Sequence, residues 1–180
     1  GDLAQELGHL PLALEQAGAY VAAKLARFQD YLSSYRRRRL ELLERAKPVT
    51  GSYPASVATT WALNFEEVEA TSPASADMLR ILAFLASDDI PLELFAHGKS
   101  ELTGLLQASI GDLSVDPIRM DEIMGPLIQF SLVRRNLRSM TISVHQLVQD
   151  VIRETMDQET RASWSNRVVR VIECSFLLPT

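Results

Sequence analysis

Three histidines and one cysteine are the side chains best suited to proton transfer, metal ligation or nucleophilic attack, and they are scattered at His9, His97, His145 and Cys174. No two of them share the short spacing of a metal-binding pair. A lone cysteine can make neither an internal disulfide nor a Cys-x-x-Cys redox pair, which suits a reducing, cytoplasmic setting. The Gly-x-x-x-x-Gly-Lys-Ser/Thr loop that cradles a triphosphate is missing, as are the Gly-x-Ser-x-Gly elbow and the His-Glu-x-x-His pair. An independent enzyme and a metal centre are therefore not expected. The cationic side chains offer a different chemistry. Arg36 to Arg39 form one run, but four consecutive residues on a helix point in all directions and Glu41 and Glu44 follow them, so a solvated, salt-bridged face is expected. Arg134 and Arg135 form a second basic pair. A net charge of -5 and a pI near 5.2 leave no long-range field that would draw the chain to nucleic acid or anionic lipid.

The elements that position these residues follow from apolar spacing. With 180 residues, 47% of them hydrophobic, the chain can close one good-sized core or two small ones around a shared interface. No window reaches the roughly 18 uninterrupted apolar residues of a spanning helix, so neither secretion nor membrane insertion is expected. The sequence opens inside a helical pattern without an initiator methionine, and the expectation is a piece of something longer.

Leu3 to Leu7 begin a helical turn that Gly8-His9 interrupts. Pro11 sits where a first-turn proline costs no hydrogen bond, opening a helix to about Lys24. Leu14, Ala17, Val21 and Leu25 form its apolar stripe, and Gly18-Ala19 would admit a neighbouring backbone. Phe28, Leu32, Tyr35 and Leu43 mark a third helix. Lys47 to Pro54, with two prolines and a glycine, reads as a linker. Val57, Trp61, Phe65 and Val68 share the next stripe, and Thr71-Ser72-Pro73 supplies a stop and a new start. Met78 to Leu85 is the most apolar helix and the expected core. A turn of helix over Pro91 to Phe95 and a weaker helix over Leu102 to Ile110 follow. Met120, Ile123, Leu127 and Phe130 mark another helix, which Gly125-Pro126 should break or kink. Leu132 to Arg135 and Thr141 to Val144 read as a hairpin about Asn136 to Met140. Val148, Val151, Ile152 and Met156, then Trp164, Val168, Val171 and Phe176, form two final amphipathic helices. Helices, a two-stranded hairpin and a further helix give the order of a winged helix. The expected fold is mainly α with a small β wing: a partial helical bundle over 1–48, a winged helix over 49–157, and a helix over 158–180 leading into a following superhelical or repeat region.

Two motifs carry a resemblance. Leu7-Gly8-His9-Leu10-Pro11-Leu12-Ala13-Leu14 resembles the Gly-Leu-Pro-Leu motif of NB-ARC proteins, the nucleotide-driven switches of the STAND class, and Ser143-Val144-His145-Gln146-Leu147-Val148 resembles their Met-His-Asp motif. Ser56 to Glu67 and Leu79 to Phe95 are similar to the first helices of that family's winged-helix subdomain, and Phe130 to Arg135 to its Ser-Leu-Val stretch. Leu14 to Tyr20 and Val144 to Gln149 are most similar to the branch with C-terminal tetratricopeptide repeats. His9 stands where the family usually has a second glycine, and Gln146 where its aspartate would be.

The resemblance implies a regulatory module that senses ADP against ATP in a parent protein and controls domain opening and oligomerisation. It assigns Pro11 to the adenine and His145 to the β-phosphate of ADP, with nucleotide bound mainly by the parent's phosphate-binding half. The implied partners are the nucleotide-binding subdomain of the same parent chain, a C-terminal repeat sensor and, on activation, further copies. The alternative from another class is a winged-helix transcription regulator using Arg134 and Arg135. Its candidate recognition helix, Pro117 to Met124, is acidic and apolar where base contacts need Arg, Lys or Asn, so nucleic acid is not the expected partner.

Overall fold

The computed structural model describes residues 2–45, 55–111 and 118–176. Among these the chain is mainly α, with ten α-helices, one 3₁₀ turn and a small three-stranded antiparallel sheet. The expected linker over Lys47 to Pro54 lies outside the described residues.

Helices α1 (Asp2–Glu6), α2 (Pro11–Lys24) and α3 (Phe28–Arg45) form a layer with its own core of Leu7, Ala13, Ala17, Tyr31 and Tyr35, to which Val57 of the next helix adds. The chain leaves α1 through a backbone cap: Gly8 N–H donates to the Gln5 carbonyl and His9 N–H to that of Ala4, with Gly8 at φ +63° and His9 at +55°. Pro11 opens α2 at its first turn. The buried stripe of α2 differs from the expected one. Ala13, Gln16 and Ala17 face inward, Gly18 meets open space, and Leu25 is 93% exposed at φ +50°, because it is not in the helix but closes it as a left-handed cap. In α3 the buried aromatics are Tyr31 and Tyr35, whereas Phe28 at the helix start is exposed.

Helix α4 (Ala55–Thr71) is the shared wall between this layer and the rest. Beyond it, α5 (Pro73–Leu82) is buried along most of its length. Its two charged residues pair at the edge: Arg80 is held by Asp77 and by Glu69 of α4, and lies over the rings of Phe65 and Trp164. Strand β1 (Ile90–Pro91), helix α6 (Glu93–His97), the 3₁₀ turn Lys99–Glu101, α7 (Gly104–Ile110) and α8 (Ile118–Gln129) follow. Pro91 was expected to start a helical turn; it is instead a strand residue pairing with Thr141, and α6 begins two residues later.

Pro126 lies inside α8, which continues through it to Gln129 rather than breaking. The proline removes one intrahelical donor, but it falls in the last turns, and its own carbonyl still accepts from Phe130 N–H. Strands β2 (Arg134–Asn136) and β3 (Thr141–Ser143) form the expected hairpin, shortened because Leu132 and Val133 turn into the core. A sheet of order β1-β3-β2, sharing one core with the mutually packed α5, α7 and α8, is the winged-helix arrangement. Helix α9 (Gln146–Thr155) returns against α4, and α10 (Gln158–Phe176) crosses α5 and α6. Gly98 permits that crossing: a Cβ there would lie 2.5 Å from Val171 Cγ1.

Candidate functional site

The Gly-Leu-Pro-Leu-like and Met-His-Asp-like segments are separated by some 130 residues of sequence but meet at one cleft of about 320 Å³. Leu12 and Glu15 of α2, Ser131 to Arg134, Ser143 to Gln146, and Ser87 and Asp88 line it. The wing ladder and the start of α9 fix this geometry. Val144 N–H donates to the Ser87 carbonyl at 2.8 Å, tying the segment after β3 to the turn after α5. Ser131, at φ +53°, closes α8: its N–H donates to the Ile128 carbonyl and Leu132 N–H to that of Leu127, which swings the chain from helix to wing.

His145 is the exposed N-cap of α9. Its Nδ1 accepts the Leu147 N–H at 3.1 Å, so a neutral imidazole there carries its proton on Nε2, available to an acceptor. Gln146 opens the helix and lines the same cleft. Pro11 is exposed at the first turn of α2 and does not itself line the cleft; the next residue, Leu12, does. Gly8 and Leu10 face a second, open groove of about 710 Å³ together with Glu6, Arg36 and Arg39. There Arg36 donates to Glu6 at 2.8 Å, and Arg39 lies 3.5 Å from the same carboxylate. Arg38 pairs with Glu66 on α4. The arginine run is thus a salt-bridged face, with acidic partners on α1 and α4.

Three charged residues of the cleft, Glu15, Asp88 and Arg134, were not singled out for it in the sequence. Glu15 stands one helical turn beyond Pro11 and Leu12, a spacing that places it on their side of α2. Arg134 reaches across to it: Nη2 lies 3.1 Å from Glu15 Oε2. Arg135 points elsewhere and pairs with Asp121 of α8. Among the described residues no cluster of His, Cys, Asp or Glu is arranged to hold a metal ion, and no helix is long and apolar enough to cross a membrane.

A family model, described as a domain of unknown function (DUF7779), matches residues 66–161, more than half of the sequence. The chain belongs to the DUF7779 family. No curated protein and no solved structure matches it. The DUF7779 segment takes in the end of α4, the winged helix and the start of α10, and so contains Asp88, Arg134 and His145. Leu12 and Glu15 lie before it, which makes the cleft a junction between the DUF7779 unit and the helical layer that precedes it.

Proposed function

We propose that this chain is the regulatory winged-helix part of an NB-ARC-type nucleotide switch, which distinguishes ADP from ATP in a parent protein and governs domain opening and oligomerisation. The observation that carries the reading is that Leu12 of the first motif segment, with Glu15 one turn on, and residues 143–146 of the second line a single cleft. In this reading His145 donates through Nε2 to a terminal phosphate of ADP, and the N-terminal amides of α9 add a favourable dipole. Pro11 packs near the base at the mouth of α2. The P-loop, magnesium and slow hydrolysis belong to the parent's nucleotide-binding subdomain, and a repeat region supplies the sensor. Replacing ADP by ATP removes the differential contact, and the winged helix moves away.

Two further observations support this reading over a DNA-binding wing. Arg135 is largely buried against Asp121, so only one arginine of the pair, Arg134, is turned to solvent. The solvent face of α8 carries Asp121 and Glu122, which would oppose phosphate.

The test is calorimetric titration of the parent protein with ADP and with ATP at fixed magnesium, comparing His145 with His145→Ala. A hydrogen bond to a charged phosphate should make the ADP affinity of the variant about tenfold weaker or more, with ATP affinity unchanged. Equal affinities in both proteins for both nucleotides would remove His145 as the sensor.

A further inference from the structure

Arg134 stands opposite Ser143 in the β2–β3 ladder, and residues opposite one another across a ladder project to the same face. His145 follows Ser143 by two residues and has extended backbone angles, φ -61° and ψ 131°, so alternation brings it to that face as well. All three line the cleft. Arg135, opposite Ile142, projects to the other side and is held by Asp121. The wing thus presents one arginine to the cleft and one away from it.

The guanidinium of Arg134 is held by little. Its hydrogen bond to Glu15 is single, at 3.1 Å, and the two side chains are 78% and 42% exposed. Exposed pairs of this kind are weak and screened by salt. A diphosphate, in contrast, offers several anionic oxygens to a planar fork of five donors, which permits paired, charge-assisted hydrogen bonds. The remaining carboxylate of the cleft, Asp88, accepts from Ser87 Oγ at 2.7 Å and adds a second negative charge beside the phosphate position. An arriving anion therefore faces Glu15 and Asp88 as opponents, and Arg134 and the Nε2–H of His145 as recipients.

We propose that Arg134 is a second phosphate-contacting residue of this cleft and that Glu15 is its built-in competitor, so that a di- or polyphosphate binds by displacing the Glu15 carboxylate from the guanidinium. The inference rests on the nucleotide reading of the cleft, but it concerns a different residue pair. Displacement also has a mechanical consequence, because the Glu15–Arg134 contact joins α2 to the wing across 119 residues of sequence. Phosphate capture by Arg134 releases one tie between the helical layer and the winged helix.

The experiment is a pyrophosphate titration of the chain, followed by the backbone amide resonances of residues 134, 145 and 146 at two salt concentrations. It is run on the wild type and on Glu15→Gln, Arg134→Gln and His145→Ala. The three side chains are exposed, and a thermal melt of each variant verifies folding. Glu15→Gln should bind pyrophosphate about tenfold tighter than the wild type, and Arg134→Gln about tenfold weaker with a shallower salt dependence. If Glu15→Gln and Arg134→Gln both match the wild type while His145→Ala weakens binding, the competitor is wrong and the nucleotide reading of the cleft stands. If Arg134→Gln and Glu15→Gln shift as expected and His145→Ala does not, the Arg134 contact stands and His145 loses its role. Absence of saturable binding in every protein, Glu15→Gln included, overturns the proposal.

Discussion

The winged-helix body and the seam that joins it to α1–α3 bury polar groups in opposite ways. In the body, Ser75 donates to the Ile123 carbonyl at 2.7 Å, and Gln149 Nε2 reaches the carbonyls of Leu82, Leu85 and Ala86, closing the end of α5. Those side chains are fully buried or nearly so, both have partners, and they sit within a mainly apolar cluster. At the seam, Gln16 of α2 meets Thr60 and Asn64 of α4, all three buried. Asn64 Nδ2 donates to the carbonyls of Gln16 and Phe130, and Thr60 Oγ1 lies 3.0 Å from Gln16 Oε1. Yet Gln16 Nε2 and Asn64 Oδ1 have no partner, nor does the hydroxyl of Tyr31 behind them. A buried polar atom without a partner costs on the order of 1–3 kcal/mol. The body is specified mainly by shape and apolar burial, with unpaired atoms at Trp61 Nε1 and Arg135 Nε, whereas the seam depends on a few directional contacts and has its unpaired atoms among those same residues. It should be the lower-stability boundary, and it runs directly behind the cleft to which α2 contributes Leu12 and Glu15.

The largest expected effect probes the body. Phe95 is completely buried within its core, and Phe95→Ala should lower unfolding free energy by about 3–5 kcal/mol in urea denaturation. Amide exchange should accelerate throughout α5 to α9, since the body opens as a unit. At the seam, Asn64→Ala leaves the Phe130 carbonyl without its side-chain donor and removes the second bond to the Gln16 carbonyl, which α2 still satisfies, and should cost about 1–3 kcal/mol. Its mark in exchange is expected mainly over residues 2–45, with α5 and α8 spared. Gln16→Met should cost less than about 1 kcal/mol or stabilise, because it deletes an unpaired amide while Thr60 keeps the Ser56 and Val57 carbonyls. Equal losses for Asn64→Ala and Gln16→Met, spread evenly along the chain, would erase the distinction between the two regions.

How much of this was legible in the sequence follows the same division. The winged helix was, because α5, α8 and α9 carry dense apolar stripes, and the pattern of Thr71-Ser72-Pro73 marks a helix boundary that falls between Thr71 and Pro73. The hairpin was legible apart from its third partner: Ile90–Pro91 is a two-residue strand, too short for any alternation, and is defined only by pairing with β3. The helical layer was read less well, since a stripe built from Ala13, Gln16 and Ala17 is invisible to a search for large apolar residues. In the cleft, His145 was marked by motif and Arg134 by charge, but their common face depends on the ladder register, and Glu15 on the packing of α2 beside the wing.

A smaller effect tests the helical layer from its surface. Leu25 closes α2 with φ +50°, its N–H donating to the Ala22 carbonyl and that of Ala26 to Val21, while its side chain is in solvent. A left-handed backbone costs a leucine roughly 1–2 kcal/mol relative to glycine, part of which glycine returns in unfolded-state entropy. Leu25→Gly should therefore stabilise by about 1 kcal/mol. If the layer opens separately, the added protection will be confined to α1–α3; if it spreads to α5, the seam is not a boundary.

The subtlest effect is one of pH, at the start of α10. Asp157 accepts the Thr160 N–H at 2.7 Å and the Thr160 hydroxyl at 3.2 Å, and these bonds, the backbone one first, hold its carboxyl below the usual carboxylate range. The folded carboxylate binds a proton less readily than the unfolded one, so its contribution is complete above about pH 4, the unfolded value, and is lost as pH falls through the folded value. Asp157→Ala should melt below the wild type at pH 7, with the gap closing on acidification below pH 4. Since α10 packs on α5 and α6, the loss belongs to the body and should leave exchange in α1–α3 unchanged. A gap independent of pH would mean that Asp157 acts through packing, not through its charge.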